Sequence, residues 1–179
     1  MQLSIKLTIL GSGPSSGVPG IGIGWGKCDP NNPKNRRLRS SILIEKGPTR
    51  LLVDTSPDLR EQLLLQHVER LDAVIFSHAH ADHIGGIDDL RGINRAMHSV
   101  IPAFADTDTA CQLKERYGYV FEPLDQKANI YYKPCLKLSM FNPGDEINIG
   151  QISIQTIDQD HGLSKSVGFR FENIAYTTD

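Results

Sequence analysis

Residues 76–86 read FSHAHADHIGG and place three histidines and one aspartate within positions 78–83. The segment follows a short apolar run, LDAVIF at 71–76, which is typical of a buried strand. Imidazole and carboxylate groups are the usual ligands of Zn²⁺, Mn²⁺ and Fe²⁺, and layered α/β folds place their ligands at the ends of strands. The spacing therefore predicts a metal site where this strand ends.

The order of the ligands within the segment predicts two neighbouring ions. His78 and His80 are two positions apart, so in an extended loop they point the same way. Asp82 and His83 are adjacent and serve a different direction. The alternative is a histidine-rich surface loop or a set of structural histidines, and the apolar strand directly before the cluster favours the metal site.

The composition of the 179 residues is that of one globular domain, which we expect to span 1–179. Hydrophobic residues make up 39% of the chain and charged residues 22%, and the net charge is −2. Such a balance supplies no overall basic field, so it does not favour nucleic acid as a partner. No stretch approaches the roughly 18 apolar residues of a membrane span, so we expect no membrane partner.

The three cysteines, at positions 28, 111 and 135, are odd in number and widely spaced. They form no CxxC pair, which indicates free thiols in a reducing compartment. We therefore expect a cytoplasmic protein.

The alternation of apolar and polar residues predicts strands at both ends of the chain. LSIKLTIL at 3–10 has the period of a half-buried strand, and the last third of the chain contains QISIQTID, SVGFRFE and NIAYTT. Helices are expected between these regions, one capped by Ser56 with Pro57 in its first turn and one over 106–118. This order predicts an α/β or α+β layered fold.

The motif HxHxDH after a buried strand resembles the signature of the metallo-β-lactamase-fold hydrolases. The resemblance implies an αββα sandwich of two similar halves, of which this chain would contain the first half and the opening strands of the second. In that family an earlier strand ends in an aspartate, which Asp54 in LLVD matches. Asp54 would hold the histidine loop by hydrogen bonds rather than bind metal.

Two later motifs of the family also have matches here. His161 lies in TIDQDHG, and Asp179 ends the stretch IAYTTD. The resemblance implies two divalent ions, Zn²⁺ or Mn²⁺, bound by six residues. His78, His80 and His161 would bind one ion, Asp82 and His83 the other, and Asp179 would bridge the two.

The flanking segments narrow the resemblance to one branch. GSGPSSGVPGIG at 11–22, NPKNRRLRSSILI at 32–44 and the residues after the cluster are similar to phosphoribosyl 1,2-cyclic phosphate phosphodiesterases and, more distantly, to ribonuclease Z. This implies a dinuclear phosphodiesterase that acts on a small cyclic or nucleotide-like phosphodiester through a hydroxide shared by the ions. Asp82 would orient that hydroxide as the catalytic residue, and the substrate-binding residues are not assigned.

Two other functions stay open at this point. One is a thioester hydrolase of the glyoxalase II type, or another ester hydrolase of the same fold. The other is a domain that binds metal without catalysis, because the family's final histidine has no match after His161. We expect a truncated form of a longer hydrolase, with an incomplete second metal site and uncovered apolar sheet surface that would favour a homodimer.

The remaining candidates are weaker. The basic run of Lys34, Arg36, Arg37 and Arg39 could meet a substrate phosphate, as could Arg91, although such residues more often form ion pairs or a solvated face. His67 is expected to be solvated or to interact with the dipole at the C-terminal end of a helix, and His98 is expected to be structural. Cys28 is the only thiol in the glycine-rich loop at 11–35, so we predict no structural zinc there.

Overall fold

The computed structural model of the protein describes residues 3–179, in which ten strands and four α-helices are present. The strands are β1 (Ile5–Gly11), β2 (Ser41–Lys46), β3 (Thr49–Val53), β4 (Ala73–Ile75), β5 (Ile101–Asp106), β6 (Leu136–Phe141), β7 (Glu146–Ile149), β8 (Ile152–His161), β9 (Ser164–Phe171) and β10 (Ile174–Tyr176). The helices are α1 (Leu59–Leu65), α2 (Ala81–Ile84), α3 (Leu90–Met97) and α4 (Thr107–Tyr117).

The strands form two sheets. The first has six strands in the order β1-β2-β3-β4-β5-β6, antiparallel over its first three strands and parallel from β3 to β6. The parallel strands are joined through helical segments, the connection that parallel pairing requires. The second sheet is antiparallel throughout, in the order β10-β9-β8-β7.

Two hydrophobic cores define the layers. One lies between the first sheet and the helices, where Leu63 of α1, Ile93 of α3 and Leu113 of α4 pack with Val74 of β4. The other lies between the two sheets and includes side chains such as Phe169 of β9. The mixed α/β class is confirmed, and residues 3–179 supply three layers of the expected sandwich: helices, first sheet and second sheet.

The start of α1 differs from the sequence prediction. The helix begins at Leu59, and the residue before it is Asp58 rather than Ser56. The Ser56 hydroxyl instead accepts a hydrogen bond from the Asp58 backbone N–H at 3.2 Å, within a turn that leads into the helix. The Asp58 carboxylate is not a cap because it is bound to Arg39 at 2.7 Å. Strands β6 and β7 were also not predicted.

None of the helices in residues 3–179 is long and apolar enough to cross a membrane.

The fold brings several strand ends to one place. Asp54 follows β3, and the segment with the histidines follows β4, which is the parallel neighbour of β3. His161 is the last residue of β8 in the second sheet, and Asp179 lies just beyond β10. A hydrogen bond of 2.9 Å from the Val167 N–H in β9 to the Ser77 carbonyl joins the second sheet to the histidine segment.

Candidate metal centre

The predicted ligands meet in two overlapping groups at the edge between the sheets. The first contains His78, His80 and His161, and the second contains His78, His83 and Asp179. In each group the donor atoms all lie within 4.8 Å of one another. The arrangement therefore offers two adjacent sets of three donors, with the His78 ring between them.

The spacing within the first group fits a single ion. Nε2 of His161 lies 3.3 Å from Nδ1 of His80. Two nitrogen ligands of one tetrahedral Zn²⁺, each about 2.0–2.1 Å from the ion, lie about 3.3–3.4 Å apart. Without an ion, the same distance allows the two rings to share a proton in a hydrogen bond.

Two of the ring nitrogens are buried without a partner. Nε2 of His78 and Nε2 of His83 have no hydrogen bond within the described residues, although His78 is only 2% exposed and His83 is fully buried. An unpaired buried polar atom is costly, and at these two positions a bound cation would satisfy it. Burial also lowers the pKa of His78 to about 4, so its ring is neutral near pH 7 and able to act as a ligand.

Asp54 holds the histidine loop through hydrogen bonds to Ser77 and His83. Its carboxylate is fully buried and accepts hydrogen bonds from the Ser77 N–H at 2.7 Å, the Ser77 hydroxyl at 2.7 Å and Nδ1 of His83 at 2.8 Å. An ionised carboxylate only accepts, so Nδ1 of His83 carries a proton, and in the neutral ring Nε2 has the lone pair that a metal ligand needs. These bonds tie Asp54 to the histidine loop, and its role in holding that loop for a metal stays a prediction.

The backbone at Asp54 has the left-handed φ of 62°, which few residues other than glycine, asparagine and aspartate adopt easily. The next residue, Thr55, donates its N–H to the His83 carbonyl at 2.7 Å. The turn after β3 is therefore bonded to His83 through both its backbone and its side chain.

Ser77 extends this network to His78. Its hydroxyl has one proton, which it donates to Asp54, so it accepts from Nδ1 of His78 at 3.0 Å. Nδ1 of His78 therefore carries the ring proton, and Nε2 has the free lone pair. Ser77 was not among the residues predicted from the sequence, where the only local signal for it is a hydroxyl residue directly before the first histidine.

The second group is surrounded by carboxylates. Nε2 of His83 lies 3.4 Å from Asp82 and 3.5 Å from Asp179. Burial disfavours the charged His83 ring, but the hydrogen bond to Asp54 and the charges of the three carboxylates raise its pKa overall. Burial acts to raise the pKa of Asp179, but hydrogen bonds from its own backbone and from Thr178, together with His83 and His78, lower it. This group attracts positive charge.

All six predicted ligands lie together, but their grouping differs from the expectation in three respects. Asp82 belongs to neither set of three donors, His78 takes part in both, and Asp179, expected to bridge the two ions, belongs to the second set alone. The Asp82 carboxylate is 14% exposed and faces Nε2 of His83 from the open side. Its assignment as a ligand and as the catalytic residue stays a prediction.

Three of the basic residues named as possible phosphate contacts have partners within the protein. Arg39 is used in a two-pronged pair with Asp58, with N–O distances of 2.9 and 2.7 Å. Arg37 donates to the Ser12 hydroxyl at 3.0 Å, and Arg91 donates to the Tyr132 carbonyl at 3.4 Å. Arg39 therefore has a structural partner, and a phosphate role for the others stays a prediction, as does the expectation of no structural zinc at Cys28.

The remaining histidines lie outside both groups. His67 and His98 each follow a helix in a left-handed conformation, with φ of 51° and 52°. His98 is the residue that ends α3.

A cleft of about 440 Å³ opens beside the first group. Its floor includes His78, Ala79 and His80, and its walls come from the first turns of α4 and from the hairpin between β8 and β9. Lys165 on the hairpin lines the cleft and is paired with Asp158 at 2.8 Å. The cleft is large enough for a small molecule.

Comparison with known proteins gives a family match. The model of the beta-lactamase superfamily domain matches residues 49–179, which contain Asp54 and all six predicted ligands. An octanoyltransferase of Porphyromonas gingivalis is 33% identical over 177 residues, which is 98% of this chain and 35% of that protein. A ribonuclease Z of Methanopyrus kandleri is 25% identical over 146 residues, 78% of this chain and 46% of that protein.

A solved structure is also similar along nearly the whole chain. The crystal structure of a diphosphatase from the PhnP family aligns with a TM-score of 0.85 and 32% identity, covering 98% of this chain and 66% of that one. The chain thus spans less than two thirds of the length of each of these three proteins. The family match shows that the chain belongs to the beta-lactamase superfamily, within which it is similar to a PhnP-family diphosphatase and to ribonuclease Z.

Proposed function

We propose that this chain is a metal-dependent hydrolase that acts on phosphodiesters and holds two divalent ions, Zn²⁺ or Mn²⁺. The observation that carries the proposal is the pair of buried, unpartnered Nε2 atoms of His78 and His83, which face two converging sets of donors. A structural cluster would satisfy these atoms by hydrogen bonds within the protein. Because the one free nitrogen of His78 can complete only one of the two sets, the second ion would be held by His83 and Asp179, with Asp82 beside them.

Relatives support the choice of a phosphate substrate. A ribonuclease and a diphosphatase both act on phosphate linkages. The similarity to each of them covers most of the length of this chain. The octanoyltransferase gives no comparable support, because the similarity spans only 35% of it and the matching family model is the beta-lactamase domain.

When bound, divalent ions at this place would lower the pKa of a water molecule and neutralise charge on a phosphoryl group. The chain's own residues would accept the proton of the attacking water and orient the ligand histidines. Asp82 would accept the proton of the attacking water, because its carboxylate is partly exposed, lies beside His83 and belongs to neither set of three donors. Asp54 and Ser77 would keep the rings of His83 and His78 oriented throughout.

The cleft beside His80 would receive one arm of the substrate. Its volume of about 440 Å³ suits a group the size of a nucleoside or smaller. We therefore propose a small phosphodiester as substrate.

Hydrolysis assays with metal analysis test the proposal. The chain, freed of metal by chelation and then loaded with Zn²⁺ or Mn²⁺, should hydrolyse bis-p-nitrophenyl phosphate and should leave a thioester such as S-lactoylglutathione intact. Asp82→Asn should lower phosphodiester turnover by at least 100-fold while the protein still folds, and His98→Ala should not change it. Preference for the thioester, or full turnover without metal, would contradict the proposal.

A further inference from the structure

We propose that Arg116 on α4 is a positioning residue for His80, acting through the peptide that joins Ala79 to His80. Its guanidinium donates one hydrogen bond to the Ala79 carbonyl at 2.5 Å and another to Oε1 of Gln112 at 2.9 Å. The proposal rests on the metal-binding role assigned above, and it concerns a residue outside both groups of donors.

His80 differs from the other two histidines of its segment. His78 is held through Ser77, and His83 is held directly by Asp54. The His80 ring has no carboxylate or hydroxyl partner in the described part of the chain. Its one side-chain hydrogen bond is with His161, another predicted ligand. Ligand histidines commonly need a partner that fixes the ring, so the direction of His80 must be set in another way.

The backbone supplies that constraint. The Ser77 carbonyl accepts from Val167, and the His80 carbonyl accepts from the N–H groups of His83 and Ile84. Between them, the Ala79 carbonyl accepts only from Arg116 within residues 3–179. The plane of this peptide sets the orientation of the His80 backbone, and through it the direction of the ring. Ala79 is 3% exposed, so loss of the guanidinium removes the partner that this carbonyl has within the protein at a largely buried residue.

Helix α4 provides a rigid base for Arg116. The Asp106 side chain caps the helix by accepting from the Thr109 N–H at 3.0 Å, and Ala110 and Leu113 are fully buried in the core. Gln112 lies one turn before Arg116 and holds the other side of the guanidinium. The strand before α4, β5, is the parallel neighbour of β4, so helix and histidine segment leave the same edge of the sheet.

The role can be distinguished from a simple effect of charge by the sign of a change in affinity. Loss of a nearby positive charge strengthens cation binding, whereas loss of ligand positioning weakens it. Arg116→Met removes both the charge and the hydrogen bonds. Lys114→Met removes the same charge from an exposed position of the same helix and is the matched control.

The experiment measures Zn²⁺ affinity by competition with a chromophoric chelator, without any substrate. Arg116→Met should weaken binding by about 10-fold or more, and Arg116→Lys, which keeps the charge but not the two-pronged geometry, by a smaller factor. Lys114→Met should bind as tightly as the unchanged chain or more tightly. The visible absorption of the Co²⁺-loaded protein should change in Arg116→Met alone, and thermal unfolding of the metal-free variants checks that they fold.

Equal or tighter Zn²⁺ binding by Arg116→Met would overturn the inference while leaving the proposed function in place. If Arg116→Met does not fold, the comparison of Arg116→Lys with Lys114→Met decides, since unchanged affinity in Arg116→Lys would also overturn it. Failure of the unchanged chain to bind Zn²⁺ at all would overturn both proposals.

Discussion

The Ser77 hydroxyl lies 2.7 Å from Oδ2 of Asp54, and this bond decides which nitrogen of His78 is free. Because the hydroxyl proton points to Asp54, the hydroxyl oxygen accepts from Nδ1 of His78. Ser77→Ala should therefore release the His78 ring and lower metal affinity by about 10- to 100-fold. Chelator competition with Zn²⁺ measures this change.

The matched control for that change is Thr49→Val, which removes another buried hydroxyl at the opposite end of β3. Thr49 is 4% exposed and accepts from the Gln151 N–H at 3.0 Å, far along the strand from Asp54. This variant should lose some stability and keep its metal affinity. If both variants bind Zn²⁺ equally well, Ser77 does not orient His78.

Asp54→Asn tests the other half of the network. Asparagine tolerates the left-handed backbone, but its amide has one acceptor oxygen and cannot serve both the Ser77 N–H and the His83 ring. At least one buried donor loses its partner, which should lower the free energy of unfolding by about 1–3 kcal/mol. Urea unfolding of the metal-free protein and metal content per chain report the two effects, with Asp125→Asn in an exposed loop as control. Retention of the full metal content at unchanged affinity would refute the role of Asp54.

Gly86 is required by close packing behind the histidine segment. A Cβ at this position would overlap the Ser56 carbonyl oxygen and approach Cβ of Leu59 to 2.8 Å. Gly86→Ala should therefore lower the free energy of unfolding by about 1–3 kcal/mol or more. Gly92→Ala is the control, since a Cβ there meets nothing within 4 Å and the residue lies in the exposed part of α3. Alanine at this position should raise the free energy of unfolding by up to about 1 kcal/mol. Equal stability of the two variants in urea would contradict the packing.

The Arg39–Asp58 pair predicts a dependence of stability on acid. The side-chain hydrogen bond of Arg39 outweighs burial and lowers the pKa of Asp58. The folded protein thus binds this proton less readily than the unfolded chain, so the stabilisation is complete above about pH 5 and is lost as pH falls through the lowered pKa. The pair is partly exposed, so Asp58→Asn should cost about 1 kcal/mol at pH 7 and clearly less near pH 3.

Urea unfolding at both pH values measures this difference. Glu69→Gln, at an exposed position, should show no such change between the two pH values. A penalty for Asp58→Asn that stays constant from pH 7 to pH 3 would mean that the ion pair is not its cause.

The candidate site was predictable where its residues share one segment. His78, His80, Asp82 and His83 stand together after an apolar strand, and chemistry alone indicates a metal site there. His161 could be connected to them only through the family resemblance, because it belongs to the other sheet and no local pattern links the two. The same holds for Asp179.

The supporting residues could not be predicted in this way. Arg116 reaches Ala79 across 37 positions of the sequence, and nothing in its helix marks the contact. Asp58 directly precedes α1, and only the folded chain shows that its carboxylate is paired with Arg39. Such bonds depend on how helices and loops cross in three dimensions, which periodicity does not encode.

The position of the centre between the sheets has a mechanical consequence. His80 and His161 come from different layers, as do His83 and Asp179. An ion held by either group would act as a cross-link between the two layers, closing the edge at which they would otherwise separate. Removal of the ions should then speed amide hydrogen exchange in β8 and β9 more than in β2 and β3. The difference in exchange rate between the two sheets would then measure how fully the site is occupied.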